Sequence, residues 1–334
     1  MMKKLISIES HRLLEGDASW KIVYEWEDII SKKCNIPIVS TKPKIKRFIY
    51  GLLNRLSFYG LTNFFSSSCK LRLYYLSVCN TKPDSFLTKS VIPVIIDFWL
   101  KDNELEAFFQ KFKNVPLILC TNREVYEKLK ANNSPIPVEH WGLSFPDIYA
   151  LERDENYPKE YEFCIFGRPN PFFIRLLDKY CETHSDFTYI LNNGNINNRQ
   201  YINNRGEYIT SDNGRQSYID MIRKTKISCY STPGIDESKH GANGYNQVTP
   251  RVFEMLCNGC FVIGHYPQNA DTVWYKLNTI VPNVDTYEEF EKILDNMRVS
   301  ELDIKNVKKF MHNHYTSYRS IELKKILEEY GISL

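Results

Sequence analysis

The sequence predicts an α/β protein with two doubly wound parallel sheets, one in each half of the chain. Two observations indicate this fold class. Short, continuously apolar runs alternate with amphipathic runs in both halves, as strands buried on both faces alternate with the helices that cover them. The 334 residues also exceed one comfortable hydrophobic core, so we expect two domains of roughly 150 residues each.

The first half contains three apolar runs and two amphipathic runs. Strands are expected at 5–8 (LISI), 91–97 (VIPVIID) and 116–120 (PLILC), and helices at 103–112 and 123–132. We assign residues 1–145 to an N-terminal Rossmann-like domain on this basis.

A proline-containing segment, 133–160, is expected to connect the two halves, and a second series of strands and helices follows it. The series runs EFCIFG, FFIRLLDKYC, FTYIL, SYIDMIRKT, KISCY and YEEFEKILDNM, and it predicts a second Rossmann-like domain over 146–315. Within it, 191–208 holds seven asparagines between 192 and 204 and is predicted to be a solvated loop. A closing helix is expected within 316–334.

Residues 249–264, TPRVFEMLCNGCFVIG, combine a helix start, a helix stop and a buried strand. We expect Thr249 to cap the helix, Pro250 to occupy its first position and Gly259 to end it in the left-handed region. The apolar CFVI would then form a strand. Helix N-termini beside the carboxyl ends of parallel strands present free N–H groups to the cleft, so a phosphate is the expected occupant.

The motif R-V-F-E-x-L-x-x-G-x-F-V-I resembles the donor-site helix of the group 1 glycosyltransferases, particularly the CgeB-like (spore-maturation-protein-like) branch. The segments EFCIFGR (162–168), KISCYSTPG (226–234) and MHNHYTSYRSIELKKIL (311–327) are similar to other parts of that family's C-terminal domain. The resemblance covers roughly the last 170 residues. It implies a GT-B fold, in which two Rossmann-like domains face a cleft, and a closing helix that crosses back toward the N-terminal domain.

The resemblance also implies a donor-binding set in the C-terminal domain. Arg168 would contact the diphosphate, with Thr249 and the helix start beside it, and Glu254 would bind the ribose hydroxyls. The family's usual lysine is replaced by Phe173, so that Arg175 or Arg251 is expected to supply the second charge. Asn246 replaces a family glutamate near the donor sugar, which puts the retaining mechanism of those relatives in doubt.

The strand ends of the first half of the chain carry three candidate catalytic residues for the acceptor side. Glu9 and His11 follow the first strand, and Asp97 ends the run VIPVII, so any of the three could act as a general base toward an acceptor hydroxyl. His140, in the connecting segment, is a weaker candidate. Acids and histidines at strand ends are also common as caps and turn residues, which is the alternative interpretation for each.

The resemblance implies transfer of a sugar from a nucleotide-diphosphate sugar to a glycan or lipid-linked acceptor, in surface polysaccharide or lipopolysaccharide biosynthesis. Two alternatives stay open: a nucleotide-sugar epimerase of the same fold, and a non-catalytic nucleotide- or sugar-binding protein. The nucleotide sugar would be a substrate, and no cofactor is expected. The sequence contains no H-E-x-x-H, so a metal-independent reaction with no metal site is expected.

The first 90 residues are basic, with 15 Lys and Arg against 7 Asp and Glu. Within them, KPKIKR leads into an aromatic, helix-capable stretch, so that 42–65 has the composition of a helix lying on an anionic membrane surface. The alternative is a helix whose aromatic face packs on its own domain. No recognition motif accompanies the charge, so nucleic-acid binding is not expected.

Nine cysteines at irregular spacing predict reduced thiols and a cytoplasmic protein, peripheral to the inner face of the membrane if 42–65 binds there. Cys257 and Cys260 form a C-x-x-C pair without a second pair, and core packing is expected for both.

Overall fold

A computed structural model describes residues 2–13, 18–40, 49, 52, 59–82, 84, 86–151, 154–193, 199–212, 214–237 and 239–334. The chain divides into two compact units. The first comprises Met1–Gly16, Ile22–Asp147 and Tyr315–Leu334, and the second comprises Asp17–Lys21 and Ile148–His314. The closing segment of the chain therefore groups with the first unit.

The described strands are β1 Lys3–Ser10, β2 Ile38–Ser40, β3 Lys70–Val78, β4 Val91–Phe98, β5 Ile118–Cys120, β6 Val138–His140, β7 Tyr161–Cys164, β8 Tyr189–Asn192, β9 Arg199–Asn203, β10 Tyr208–Asp212, β11 Thr225–Ser231, β12 Phe261–His265 and β13 Ile332–Ser333. The described helices are α1 Lys21–Cys34, α2 Tyr59–Phe65, α3 Leu105–Phe112, α4 Arg123–Ala131, α5 Pro171–Thr183, α6 Arg215–Lys224, α7 Arg251–Cys257, α8 Ala270–Trp274, α9 Tyr287–Val299, α10 Ile304–Met311 and α11 Thr316–Glu329.

The sheet of the first unit has the order β13-β1-β3-β4-β5-β6, with β2 also paired to β1, and every pairing is parallel. The expected strands at 5–8, 91–97 and 116–120 lie within β1, β4 and β5. Four strands were not predicted. β2, β6 and β13 have three residues or fewer, which is too short to show a periodic signal, and β6 lies inside the segment expected to connect the halves. β3, with nine residues (KLRLYYLSV), was also missed although it lies between β1 and β4 in the sheet.

The sheet of the second unit has the order β10-β9-β8-β7-β11-β12. Pairings among β8, β7, β11 and β12 are parallel, whereas β9 and β10 form an antiparallel extension. The prediction of two Rossmann-like parallel sheets is thus confirmed, with this hairpin as an addition.

The prediction of a solvated loop over 191–208 is wrong for the described part of that segment, because β9 and the start of β10 lie there. Tyr201 is fully buried and its ring packs edge-on against Phe166. Asn203 is not solvated but organises the turn: its side-chain oxygen accepts the N–H groups of Arg205 and Glu207 at 3.0 and 2.9 Å. Asparagine side chains that bond to nearby backbone favour turns, and here the turn joins two strands.

The 249–264 segment folds nearly as predicted. α7 begins at Arg251 with Pro250 as its N-cap residue, one position later than expected, and the Thr249 N–H donates to Tyr230 Oη at 3.0 Å. Gly259 ends the helix at φ +77°, and the Cys260 N–H donates to Met255 O at 3.0 Å, which is the Schellman pattern. β12 follows directly and supports the predicted helix–strand unit.

The closing helix α11 lies where it was expected. It is tied to the first unit by Trp141, whose indole N–H donates to the Arg319 carbonyl at 2.8 Å, and by the bridge between Phe145 and Tyr315. The Trp141 bond is buried, and Leu323 and Leu327 of α11 are fully buried, so the end of the chain contributes to the core of that unit.

All nine cysteines are free thiols. Cys257 and Cys260 are fully buried, and Cys260 Sγ contacts the carbonyl oxygens of Ile222 and Thr225, so both lie in the core as predicted. Of the helices that the structure describes, none is both long and apolar enough to span a bilayer.

Candidate functional site

Arg168 and Arg251 come together at the carboxyl end of β7. Gly167 turns the chain there at φ +78°, and a β-carbon added to it would overlap the Arg251 guanidinium. Arg251 therefore lies directly on the backbone that carries Arg168. Partial burial and the positive charge of Arg251 both lower the pKa of Arg168, as expected for two guanidinium groups at one turn.

Glu254 lies one turn into α7 and is only 6% exposed. The structure gives it two protein partners. Arg215 pairs with Oε1, and the Tyr218 hydroxyl donates to Oε2 at 3.2 Å. An ionised carboxylate offers about four acceptor positions, so two donors fix its orientation without exhausting its capacity.

The region around Glu254 and Tyr218 contains more positive than negative side chains. Arg199 lies over the Tyr218 ring at 4.5 Å, and Arg215 lies over the Tyr149 ring at 5.3 Å. Burial and the Glu254 charge raise the pKa of Tyr218, and the nearby arginines oppose that rise. Arg199, Arg215 and Arg251 thus act on Tyr218, the partner of Glu254, and Arg251 also acts on Arg168. This concentration of positive charge suits a multiply charged anion.

The positions of two of these arginines strengthen this interpretation. Arg215 is the first residue of α6, and Arg251 is the first residue of α7. The N-terminus of a helix carries partial positive charge, so a cation there is unfavourable by about 0.3–1 kcal/mol unless an anion offsets it. For Arg215 that anion is Glu254, whereas Arg251 lies beside a second cation, Arg168.

Asn246 lies in the segment joining β11 to α7, and its side chain bonds within that segment. Its Oδ1 accepts from Thr232 Oγ1 at 2.7 Å, and its Nδ2 donates to the Gly244 carbonyl at 3.1 Å. Its own carbonyl accepts from Asn269 Nδ2 at 3.0 Å. The amide thus holds the loop together at the position where the resembling family has a glutamate.

Phe173, at the position of the family's lysine, is 1% exposed and belongs to the core cluster of the second unit. Arg175 lies on the exposed side of α5. Of the two arginines considered for the second charge, Arg251 is therefore the one that the fold brings to Arg168.

The three residues proposed for the acceptor side lie in the first unit and have separate environments. Glu9 is buried and ion-paired with Arg72 at 2.8 Å. His11 packs against the Tyr74 ring at a centroid distance of 4.6 Å, and Asp97 Oδ2 accepts from Ser77 Oγ at 3.3 Å. In the strand register, Glu9 of β1 lies opposite Tyr74 of β3, and Asp97 of β4 lies opposite Ser77 of β3 on its other edge. Asp97 is therefore about 10 Å further along that strand.

Two other titratable groups of the first unit are poorly suited to proton transfer at the surface. Burial, with the charges of Arg123 and Arg319, lowers the pKa of His140 to about 3, so its ring stays neutral near pH 7. Burial raises the pKa of Glu27 to about 7 against the opposing bonds from Ser10 and Arg12, but Glu27 is completely enclosed.

Arg199, Arg215 and Tyr218 were missed from the sequence. Arg215 follows Gly214 at a helix start, where a basic residue is unusual, and that departure was the available signal. The signal for Arg199 was hidden by its asparagine-rich surroundings. Among the described residues, no group of three or more His, Cys, Asp or Glu side chains could hold a metal ion.

Sequence comparison gives no relative, since no protein-family profile and no curated protein matches the chain. Solved structures do match. The crystal structure of a GtfA/B complex aligns with a TM-score of 0.51 at 9% identity, over 84% of this chain and 60% of that one. The pneumococcal O-GlcNAc transferase GtfA, in complex with UDP and GlcNAc, aligns with a TM-score of 0.50 at 9% identity, over 82% and 59%.

The DNA modifying enzyme β-glucosyltransferase, solved in the presence and absence of uridine diphosphoglucose, aligns with a TM-score of 0.50 at 10% identity. That alignment covers 98% of this chain and 100% of the β-glucosyltransferase chain. In contrast, this chain spans about three fifths of the length of the matched chains of the GtfA/B complex and of GtfA. Similarity at this level of identity establishes the fold. The chain has the GT-B fold of these glycosyltransferases.

Proposed function

We propose that this protein is a glycosyltransferase that transfers a sugar from a nucleotide-diphosphate sugar to a glycan or lipid-linked acceptor. The observation that carries the proposal is the contact of Arg251 with the Gly167 turn beside Arg168, at the carboxyl edge of a parallel sheet in a GT-B fold. Ligands of open α/β sheets bind at that edge. The motif at 249–264 favours a relationship to the CgeB-like branch.

The proposed chemistry assigns each donor-side group a task. Departure of the nucleoside diphosphate leaves extra negative charge on the β-phosphate, and Arg168 and Arg251 would stabilise it where it develops. Glu254, oriented by Arg215 and Tyr218, would accept hydrogen bonds from the ribose hydroxyls. The reaction would then need no metal ion, because the guanidinium groups supply the positive charge.

For the acceptor side, we favour His11 and Asp97 over Glu9. Protonating Glu9 would break its buried ion pair with Arg72, which is costly because the guanidinium would lose its partner. Conversion of Asp97 to Asn should lower kcat while the affinity for nucleoside diphosphate stays unchanged, since the two belong to different units. Equal activity of the variant would exclude Asp97 as the base.

Calorimetry with UDP, GDP, ADP, dTDP and CDP tests the donor site. We expect one nucleotide to bind, and Arg168→Ala and Arg251→Ala each to weaken it about 10-fold or more, as loss of a charge-assisted hydrogen bond does. Arg175→Ala is the matched control, because that arginine lies exposed on α5. Absence of binding by every nucleotide would contradict the proposal.

Product analysis separates the proposed reaction from its alternatives. A transferase converts the nucleotide sugar to free nucleoside diphosphate, slowly with water and faster with its acceptor, and Glu254→Ala should abolish both. An epimerase would return an isomeric nucleotide sugar without releasing the diphosphate. A binding protein would return the donor unchanged.

We also propose a role in surface polysaccharide or lipopolysaccharide assembly at an anionic membrane. Of the segment 42–65, the structure describes 49, 52 and 59–65; the remainder, with Lys44, Lys46 and Arg47, lies outside the described residues. Phe64 and Phe65, at the end of α2, are 77% and 78% exposed. Adjacent exposed aromatic rings at the end of a sequence segment rich in basic residues suit a membrane interface.

Co-sedimentation with phosphatidylserine-containing vesicles tests this membrane role. We expect binding at low salt that is weakened by Phe64→Ser/Phe65→Ser or by neutralising Lys44, Lys46 and Arg47. Neutral phosphatidylcholine vesicles provide the control. No binding to anionic vesicles at low ionic strength would refute the membrane role and leave the donor site unaffected.

A further inference from the structure

His265 is the last residue of β12, at the same edge of the second sheet as the arginine pair. It is 7% exposed, and its ring stacks on Phe172 at a centroid distance of 3.8 Å and an angle of 15°. Its Nδ1 lies 2.9 Å from the Val284 carbonyl, and its Nε2 lies 2.9 Å from Asp236 Oδ2. The stacking contact and the two ring-nitrogen contacts together fix the orientation of the imidazole ring.

Both groups that face the ring nitrogens are acceptors. A carbonyl oxygen cannot donate, and an ionised carboxylate cannot donate either, so satisfying both contacts requires a proton on each nitrogen. A second carboxylate, Asp285, lies 3.4 Å from Nδ1. The contact between His265 and Asp236 is then a charge-assisted hydrogen bond, the stronger kind.

Asp236 lies in the segment 232–249, which joins β11 to α7 and is here called the donor loop. Asp236 itself has φ +51°, a left-handed backbone conformation that costs a non-glycine residue free energy and is kept where the surroundings hold it. Asp236 Oδ2 also lies 3.4 Å from Nδ2 of Asn170, the N-cap residue of α5. One carboxylate therefore joins the donor loop to β12 and to the turn that carries Arg168.

The two arms of the donor loop are held together. A β-carbon on Gly234 would overlap the backbone of Tyr245, so the two arms are in close contact. Thr232 and Asn246 bond across the base of the loop at 2.7 Å. The arm that leads into α7 is held by bonds at Asn246 and Thr249, whereas Asp236 holds the other arm.

We propose that the ion pair between Asp236 and His265 positions the donor loop over the sugar of the nucleotide sugar. The inference rests on the proposed function. Arg168, Arg251 and Glu254 account for binding the nucleoside diphosphate, whereas the donor loop would enclose the sugar beyond it. His265 and Asp236 are positioning residues, since they act through the loop and not on the reacting atoms.

The pair is tested with Asp236→Asn, His265→Gln and the double variant. Kd for the nucleoside diphosphate is measured beside KM and kcat for the nucleotide sugar. We expect each single variant to raise KM about 10-fold or more, by loss of a charge-assisted hydrogen bond, and to leave the diphosphate Kd within about 2-fold. The double variant should be no worse than either single one, because the residues act as a unit.

His184→Gln is the matched control. That histidine also stacks on an aromatic ring, Tyr180 at 3.9 Å, and faces a carboxylate, Asp295 at 3.9 Å, but it follows the C-terminal end of α5. His184→Gln should change neither the Kd for the nucleoside diphosphate nor the KM for the nucleotide sugar. Since Asp236 is 39% exposed, its replacement by asparagine leaves the core intact even if His265→Gln reduces folding.

The outcomes separate the two proposals. An unchanged KM in Asp236→Asn, or a parallel loss of diphosphate and nucleotide-sugar affinity, would overturn the positioning role and leave the glycosyltransferase proposal standing. A wild-type protein that bound no nucleoside diphosphate would overturn both.

Discussion

Replacing Gly167 with alanine is the most direct perturbation of the candidate donor site. The new β-carbon would overlap Cζ and Nη2 of Arg251 and lie 2.7 Å from its Nε. Real β-carbons do not approach other atoms this closely, so the guanidinium must move away from the turn. We therefore expect Gly167→Ala to weaken nucleoside diphosphate binding without removing any charged group.

The magnitude has two parts. Alanine at φ +78° costs about 1–2 kcal/mol of folding free energy, because its β-carbon meets the following carbonyl in the left-handed region. Displacing Arg251 removes a hydrogen bond to a charged group, worth about 1.5–3 kcal/mol, so Kd should rise about 10- to 150-fold. The first part appears in thermal unfolding and the second in calorimetric titration.

Gly206→Ala is the control, because it carries the first cost without the second. Gly206 lies in the turn between β9 and β10 at φ +85°, and nothing lies within 4 Å of the position that its β-carbon would take. It should lose stability similarly and keep its affinity. Wild-type affinity in Gly167→Ala, or an equal loss in Gly206→Ala, would refute the role assigned to the contact between Gly167 and Arg251.

Three further outcomes are expected. Burial raises the pKa of Glu27 from 4.5 to about 7, so the native state keeps a proton that the unfolded chain loses, and this residue's contribution to stability falls by about 3 kcal/mol as pH rises between those values. Glu27→Gln should therefore gain stability relative to wild type across that window in urea titrations, and a difference independent of pH would contradict the assignment. Trp141→Phe removes the bond to the Arg319 carbonyl and should cost about 1–3 kcal/mol of unfolding free energy while nucleotide affinity is unchanged; a loss of affinity would disprove that separation. Nucleoside diphosphate affinity should fall several-fold from about 50 to about 500 mM NaCl, because exposed Arg168 is screened, and salt-independent binding would exclude a mainly electrostatic site.

Sequence reasoning succeeded where the signal is local. β4 and β5 coincide with the continuous apolar runs VIPVII and PLILC, and parallel strands covered on both faces require such runs. The end of α7 was also readable, because glycine at 259 adopts a backbone angle that other residues avoid. The hairpin at β9 and β10 was not readable, because Asn203 is a typical loop residue by type, and only the structure shows that it organises the turn by accepting the N–H groups of Arg205 and Glu207.

The candidate site, too, was predictable from the sequence only in part. Arg168 and Glu254 were proposed from the sequence, by motif resemblance and by their place beside a strand end and a helix start. Their environments were not: Arg215 lies 39 positions from the Glu254 that it orients, and no local pattern links the two. The choice of Arg251 over Arg175 depended on which arginine the fold brings to the Gly167 turn.

The sequence by itself determined that this chain alternates strands and helices in two series, and it identified the helix that leads into β12. Only the tertiary structure decided which charges meet at the carboxyl edge of the second sheet and which side chains hold the donor loop. The physical reason is that local conformation depends on the residues within a few positions. Electrostatic fields and ion pairs depend on distance in space, and that distance is set only when the sheet has formed.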